Sequence, residues 1–380
     1  MKILDITHFY SNRGGGIKTY INNKINYFSK FEDAQHFLLI PSEEDSVYYK
    51  EKTKVITLKS PQLLFSKNYR LIVNPVKLAK IIEEIEPDII EIGSPFLIPS
   101  VVNYLKEKKG FKVLGFFHSD LEKVSNNLLK GKNLIRPLVR KYVYKTYIDM
   151  DLVIAPSLYI KKYLSSIGIY NVEVVPHGID VDSFINLQVN KSFRYQYAIE
   201  EDKIVLIYVG RFSPDKNFSQ LLKIFKTLNF LRPEKFHFLL VGDGVLKEEI
   251  YDQLEGNFTV IDYVEDKQEI IKLYKISDIF ITASKTDTFG FSLIEAQACG
   301  LPVVAYNENA FPEVCYYKDL LCKDSLDFIH KVINLSENLD KVEADKIQQF
   351  IKENFDINKT MEKLVNLYKK VLNHWFPSLK

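Results

Sequence analysis

The sequence has little cysteine and no long apolar run. Its three cysteines, Cys299, Cys315 and Cys322, form no CxxC pair and have no histidine at zinc-ligand spacing. That excludes a disulfide scaffold and a cysteine zinc site, and a reduced, cytoplasmic compartment is expected. No stretch approaches the ~18 uninterrupted apolar residues of a membrane-spanning helix. The opening segment, MKILDITHFY, carries Asp5 inside its apolar run and has no small-residue cleavage site, so it reads as a first strand and not as a signal peptide. Charge of one sign is also scarce: 51 Lys and Arg stand against 49 Asp and Glu, a formal charge of +2. A generic nucleic-acid binder needs a strong positive excess, so nucleic acid is not an expected partner.

What the chain does have is 380 residues with 46% hydrophobic and 26% charged side chains, enough for two ordinary globular domains. Short β-branched and aromatic runs alternate with segments of helical periodicity, which is the mark of a parallel sheet covered by helices. The spacing predicts strands at 2–7, 36–40, 54–58, 88–92, 112–117, 152–155 and 172–175. A second series follows at 203–209, 236–241, 258–262, 278–283, 302–305 and 319–322. Two consecutive series predict two Rossmann-like domains, divided near 180–190. The segment 342–374 is expected to be helical, and Gly178 in Pro176-His177-Gly178-Ile179-Asp180 is a candidate hinge.

Three segments carry candidate chemistry. Arg13-Gly14-Gly15-Gly16 follows the first strand and precedes a helical run. Glycines there let a backbone approach an anion at a helix N-terminus, or merely make the turn. After the first strand of the second series comes Gly210-Arg211-Phe212-Ser213-Pro214-Asp215-Lys216, where Arg211 and Lys216 suit a diphosphate unless they are only solvated. Third, the run from Ser284 to Pro302 places Asp287 in a loop, Gly290 at a helix start near Phe291 or Ser292, and Glu295 one turn in. Such a helix start accepts an anion, and Glu295 can accept hydrogen bonds from a ribose diol. Glu295 also serves simply to complement the dipole, and Asp287 to cap a turn.

The string from Asp287 to Glu295 resembles the E-x7-E motif of the retaining glycosyltransferases of family 4. The glycine loop, the PHGID junction and the GR…K pair fall in that family's order, so the resemblance covers essentially the whole chain. It implies an α/β GT-B fold: two Rossmann-like domains with parallel sheets facing a central cleft. An acceptor-side domain is implied at 1–182, a donor domain at 183–360, and a C-terminal helix at 361–380 packing back on the first domain. Carried over by position, Gly15 and Gly16 face the donor phosphates or sugar, and Arg211 and Lys216 bind the diphosphate. Glu295 holds the ribose, while Asp287 and the backbone of Phe289, Gly290, Phe291 and Ser292 hold the transferred sugar. Tyr263 and Val264 lie in the loop that contacts the base. His118, in Gly115-Phe116-Phe117-His118, matches the family's active-site histidine, although a lone histidine is more often a satisfied loop residue. His118, Arg211, Lys216 and Asp287 form the expected catalytic set.

The resemblance implies a retaining hexosyltransferase that moves a sugar from a UDP- or GDP-sugar to a hydroxyl of a lipid, glycan or small molecule. No DxD motif lies in a matching position, so no metal and no cofactor are expected. Two departures stand out: Asp287 replaces the family's first Glu, and Asp262 occupies a place where relatives usually have Gly. A nucleotide-sugar epimerase is the alternative, but it needs acid/base carboxylates that are not evident here. Against a noncatalytic partner subunit stands the intact set of Arg211, Lys216, Asp287, Glu295 and His118.

The near-neutral total hides a division. Residues 1–182 hold 26 basic and 20 acidic side chains, a net of +6, and the remainder holds 25 and 29, a net of −4. Within 123–148 stand Lys123, Lys130, Lys132, Arg136, Arg140, Lys141 and Lys145 with no acid, beside Ile135, Leu138 and Tyr142 at helical spacing. Arg136, Arg140, Lys141 and Lys145 form a candidate acceptor or membrane patch, equally readable as a solvated face. An anionic membrane surface is therefore an expected partner, with the protein peripheral on its inner face.

Overall fold

A computed structural model describes residues 1–10, 15–62, 69–118, 122 and 136–373. Arg13 and Gly14 of the glycine loop, and residues 123–135 of the basic segment, lie outside the described residues. The described chain forms two compact units. One takes 1–122, 136–178 and 357–373, and the other takes 179–356. The crossings therefore fall somewhat ahead of 182 and 360.

The first unit is built on an eight-stranded sheet of β1 (Lys2–Ile6), β2 (Gln35–Ser42), β3 (Ser46–Lys50), β4 (Thr53–Lys59), β5 (Ile89–Ile92), β6 (Lys112–Phe116), β7 (Leu152–Ala155) and β8 (Val172–Val174). Its order is β3-β4-β2-β1-β5-β6-β7-β8, with every pairing parallel except β3 on β4. The edge strand β3 is absent from the sequence-based expectation because Val47, Tyr48 and Tyr49 are all exposed, so no buried face marks it. The central strands are buried on both faces by helices, as parallel sheets require. Ile3, Leu38, Ile89 and Leu114 line one face, and Leu4, Leu39, Ile90 and Val113 the other. Each such side chain contributes roughly 1.5–3 kcal/mol by leaving water.

The second unit has six parallel strands, β9 (Ile204–Val209), β10 (Phe236–Val241), β11 (Phe258–Ile261), β12 (Ile279–Thr282), β13 (Val303–Tyr306) and β14 (Leu321–Cys322). Their order is β11-β10-β9-β12-β13-β14. The chain turns one way from β9 through β10 and the other way from β12 onward. Ligands of open α/β sheets bind beyond the strand C-termini at such a reversal, here between β9 and β12.

Within the segment expected to be one helix stand two, Ala344–Phe355 and Ile357–Asn373, separated at Asp356, whose backbone is extended. Neither Gly nor Pro marks the break, and the apolar periodicity runs through it. The second of these helices belongs to the first unit and buries Met361, Leu364 and Tyr368 against Ile3, Ile25 and Phe28. Gly178 is not in the left-handed region, yet a Cβ there would stand 2.2 Å from Thr360 Oγ1 and 2.8 Å from Ile357 Cα. Close approach of the chain, rather than an unusual φ, accounts for that glycine.

Candidate active site

The reversal between β9 and β12 sets two loops side by side. After β9, Phe212 is buried and stacks on Phe218 at 4.6 Å, which pins the loop from inside and leaves its polar residues outward. The Tyr208 hydroxyl donates to the Arg211 carbonyl at 2.8 Å. Asn217, at φ +53°, closes the loop ahead of the helix Phe218–Leu231, and its side-chain amide donates to the Ala283 carbonyl at 3.1 Å. From the other loop, the Thr286 hydroxyl donates to the Asp215 carbonyl at 2.7 Å.

Two glycines that the sequence reading did not single out complete this frame. A Cβ on Gly242 would lie 2.0 Å from the Gly210 carbonyl oxygen, and one on Gly244 would lie 2.2 Å from that of Phe212. The backbones are joined by Phe212 N–H to Asp243 O at 3.0 Å and Leu246 N–H to Phe212 O at 2.9 Å. The string GDG directly after β10 was the available signal.

On this frame Lys216 forms an ion pair with Asp287, and Arg211 Nη2 lies 2.7 Å from Asp215 Oδ2. Burial acts to raise the Asp287 carboxyl, but the Lys216 ammonium, with its hydrogen bond, and the Arg211 charge together hold it below its ordinary 3.8. The ionised form is therefore the resident one. Phe289 turns inward against Phe291 and Phe355, so what it offers a ligand is backbone. Gly290, at φ +105°, starts the helix Phe291–Ala298. The first N–H groups of that helix have no acceptor within it, which with the dipole makes an anion-binding end. Glu295 lies one turn on and is half-buried. Burial pushes its carboxyl up to about 7, although the Tyr274 hydroxyl, 3.1 Å from Oε2, and the Lys267 charge pull the other way.

After β11, Val264 packs on the core while Tyr263 is 44% exposed. Asp262, the departure from the usual glycine, forms an ion pair with Lys247.

In the first unit, Gly15 precedes the helix Gly16–Phe28, and a Cβ placed on it would meet nothing within 4 Å. His118 lies past β6 with its ring parallel to Phe116 at 4.3 Å and to His177 at 5.8 Å, while Tyr20 meets it edge-on at 5.2 Å. Burial, then the charges of His177 and Lys24, push His118 well below its ordinary 6.5, against the pull of Asp5. The imidazole is neutral at physiological pH. Of the basic patch, Arg136 forms an ion pair with Glu122, and Arg140 Nε lies 2.8 Å from the same carboxylate. The acid comes from one position ahead of the acid-free run. Lys141 and Lys145 of the helix Arg136–Tyr147 remain exposed, beside exposed Leu138, Tyr142 and Tyr144. Among the described residues, no set of three His, Cys, Asp or Glu side chains gathers as a cation site, and no helix is long and apolar enough to cross a membrane.

Comparison with known proteins assigns the chain to a family. The family model described as glycosyl transferases group 1 matches residues 189–364, and the glycosyltransferase family 4 model matches 14–183. A GDP-mannose-dependent alpha-(1-6)-phosphatidylinositol dimannoside mannosyltransferase of Mycobacterium tuberculosis is 22% identical, over 86% of this chain and 84% of its own. An alpha-monoglucosyldiacylglycerol synthase of Streptococcus pneumoniae is 26% identical, over 80% of this chain and 71% of its own. The solved sucrose-phosphate synthase of Thermosynechococcus elongatus superposes with a TM-score of 0.81 at 16% identity, covering 98% of this chain and all of the other. With both halves matched in order and a fold shared over nearly its full length, the chain belongs to the nucleotide-sugar-dependent glycosyltransferases of group 1 and family 4, enzymes of the GT-B fold.

Proposed function

We propose that the protein transfers a hexosyl group from a nucleoside-diphosphate sugar to a hydroxyl of a lipid or glycan acceptor, with retention at the anomeric carbon and without a metal ion. The observation behind this is the grouping of Arg211, Lys216, Asp287 and the N-terminus of the helix Phe291–Ala298 at the strand reversal of the second unit. As the bond from the anomeric carbon to the phosphate oxygen breaks, negative charge grows on the leaving diphosphate. Fixed cations and backbone N–H groups stabilise that charge without reorganising. Glu295 accepts from the ribose hydroxyls, and Asp287 from a hydroxyl of the sugar. The acceptor oxygen bonds to the anomeric carbon on the face the diphosphate leaves, and its proton passes to a donor phosphate oxygen. His118, neutral and held in a stack, is assigned to the acceptor side as an orienting group and not as a nucleophile. The relatives' names, one specifying phosphatidylinositol dimannoside and the other monoglucosyldiacylglycerol, support a glycolipid acceptor.

The test is thermal unfolding with UDP-, GDP- and ADP-sugars, followed by transfer assays on Lys216→Ala. A donor at 100 times its dissociation constant stabilises by about 2.7 kcal/mol. Loss of Lys216 removes about 2–4 kcal/mol of transition-state stabilisation, by analogy with a lost oxyanion donor. No shift with any sugar nucleotide, or near-full transfer by Lys216→Ala, overturns the assignment.

A further inference from the structure

Arg211 and Lys216, the two cations assigned to a dianionic diphosphate, are each already held by a carboxylate from the same pair of loops. Arg211 Nη2 is 2.7 Å from Asp215 Oδ2, and Lys216 is ion-paired with Asp287. The two pairs differ in setting: Lys216 and Asp287 are only 21% and 19% exposed, whereas the Arg211 side chain is 69% exposed. Asp215 and Asp287 share one rigid frame, because the Thr286 hydroxyl holds the Asp215 carbonyl at 2.7 Å and Asn217 holds Ala283 at 3.1 Å. A cation and a carboxylate sheltered together stabilise each other in the absence of ligand, and either alone is costly there. A phosphate oxygen and the Asp287 carboxylate therefore compete for the same ammonium.

We propose that Asp215 and Asp287 are resident counter-ions of the donor site, and that the donor enters by anion exchange. Phosphate oxygens take Arg211 and Lys216, and the two carboxylates are released. Asp287 then accepts a hydrogen bond from a hydroxyl of the donor sugar, which compensates it. The free nucleoside diphosphate offers no such hydroxyl, so after transfer Asp287 is left as an uncompensated anion beside the phosphates and reclaims Lys216. Asp287 thus sets the preference for sugar nucleotide over spent nucleotide. This rests on the assignment of Arg211 and Lys216 to the diphosphate.

Calorimetric titration of the full chain with UDP, GDP, UDP-glucose and GDP-mannose tests it. Asp287→Asn is expected to bind the free diphosphate about tenfold tighter than the unaltered protein, because a close like charge has gone. Its preference for the sugar nucleotide over the free diphosphate falls. Asp215→Asn, at a more exposed pair, gains a few-fold at low ionic strength and loses that gain near ~0.5 M salt. Unchanged or weaker diphosphate binding by Asp287→Asn, with the unaltered protein binding normally, overturns the counter-ion role. Should that variant fail to fold, equal affinity of Asp215→Asn and the unaltered protein at low salt overturns it instead. If the unaltered protein binds none of the four nucleotides, the donor-site assignment itself fails, and the counter-ion role with it.

Discussion

At the scale of single residues, Glu295 combines two demands that conflict. A ribose diol is best held by an ionised carboxylate, yet burial pushes this carboxyl from its ordinary 4.5 up to about 7, against the Tyr274 hydroxyl and the Lys267 charge. The folded protein therefore holds the proton more tightly than the unfolded chain does. Stability from this group is fully present below about pH 4.5, declines as the pH rises toward 7, and is constant above. The shift corresponds to about 3 kcal/mol between the two ends. Urea unfolding at pH 5 and pH 8 is expected to show Glu295→Gln with that part of the pH dependence removed and with weakened donor binding. An unchanged pH profile counts against the raised carboxyl. The place of this residue in the first turns of a helix was legible because Asp287, Gly290 and Glu295 fall within one short string. The partnership of Lys216 with Asp287 was not legible, because it joins positions separated by 71 residues through the strand order alone.

At the scale of elements, the helix Gly16–Phe28 is fixed by charge as well as by apolar contact. Lys24, fully buried, stands 2.5 Å from Asp5 on β1 and 3.1 Å from Glu91 on β5. The Tyr368 hydroxyl is 2.8 Å from the Lys24 ammonium and 2.5 Å from Glu91 Oε2, and Tyr20 donates to Glu91 Oε1 at 2.9 Å. This network holds the helix that begins at the glycine loop. Tyr368→Phe is expected to cost about 1–3 kcal/mol by leaving a buried polar group without its partner. Lys24→Ala is expected to cost about 3–5 kcal/mol by exposing two carboxylates to each other in a dry interior. Urea unfolding measures both, and a loss under ~1 kcal/mol for Lys24→Ala counts against the network. In the sequence, Lys24 reads as one more polar position on a surface helix. The alternation of strands and helices was readable because parallel strands are continuous apolar runs. The exposed β3 and the break at Asp356 carry no such mark, since one has no buried face and the other no breaking residue.

For the whole molecule, the division of charge into +6 and −4 suits a first unit that meets an anionic surface, but its basic residues are not equivalent. Arg136 and Arg140 are engaged by Glu122, which is itself nearly buried. Lys141→Glu with Lys145→Glu is expected to weaken sedimentation with phosphatidylglycerol vesicles, at about 1 kcal/mol for each lysine lost. Arg136→Gln with Arg140→Gln is expected to lower stability more than vesicle binding. Equal vesicle binding by the lysine double variant and the unaltered protein removes the membrane role. The path of the chain carries a different consequence. Among the described residues, 179–356 form the second unit in one stretch, whereas the first unit is closed by the helix Ile357–Asn373. During synthesis the second unit can therefore fold from a complete stretch while the first still lacks Met361, Leu364 and Tyr368. Until that helix emerges from the ribosome, Lys24 and Glu91 lack their third partner and the apolar face around Ile3 and Ile25 stays uncovered, so the first-synthesised half is the last to be finished.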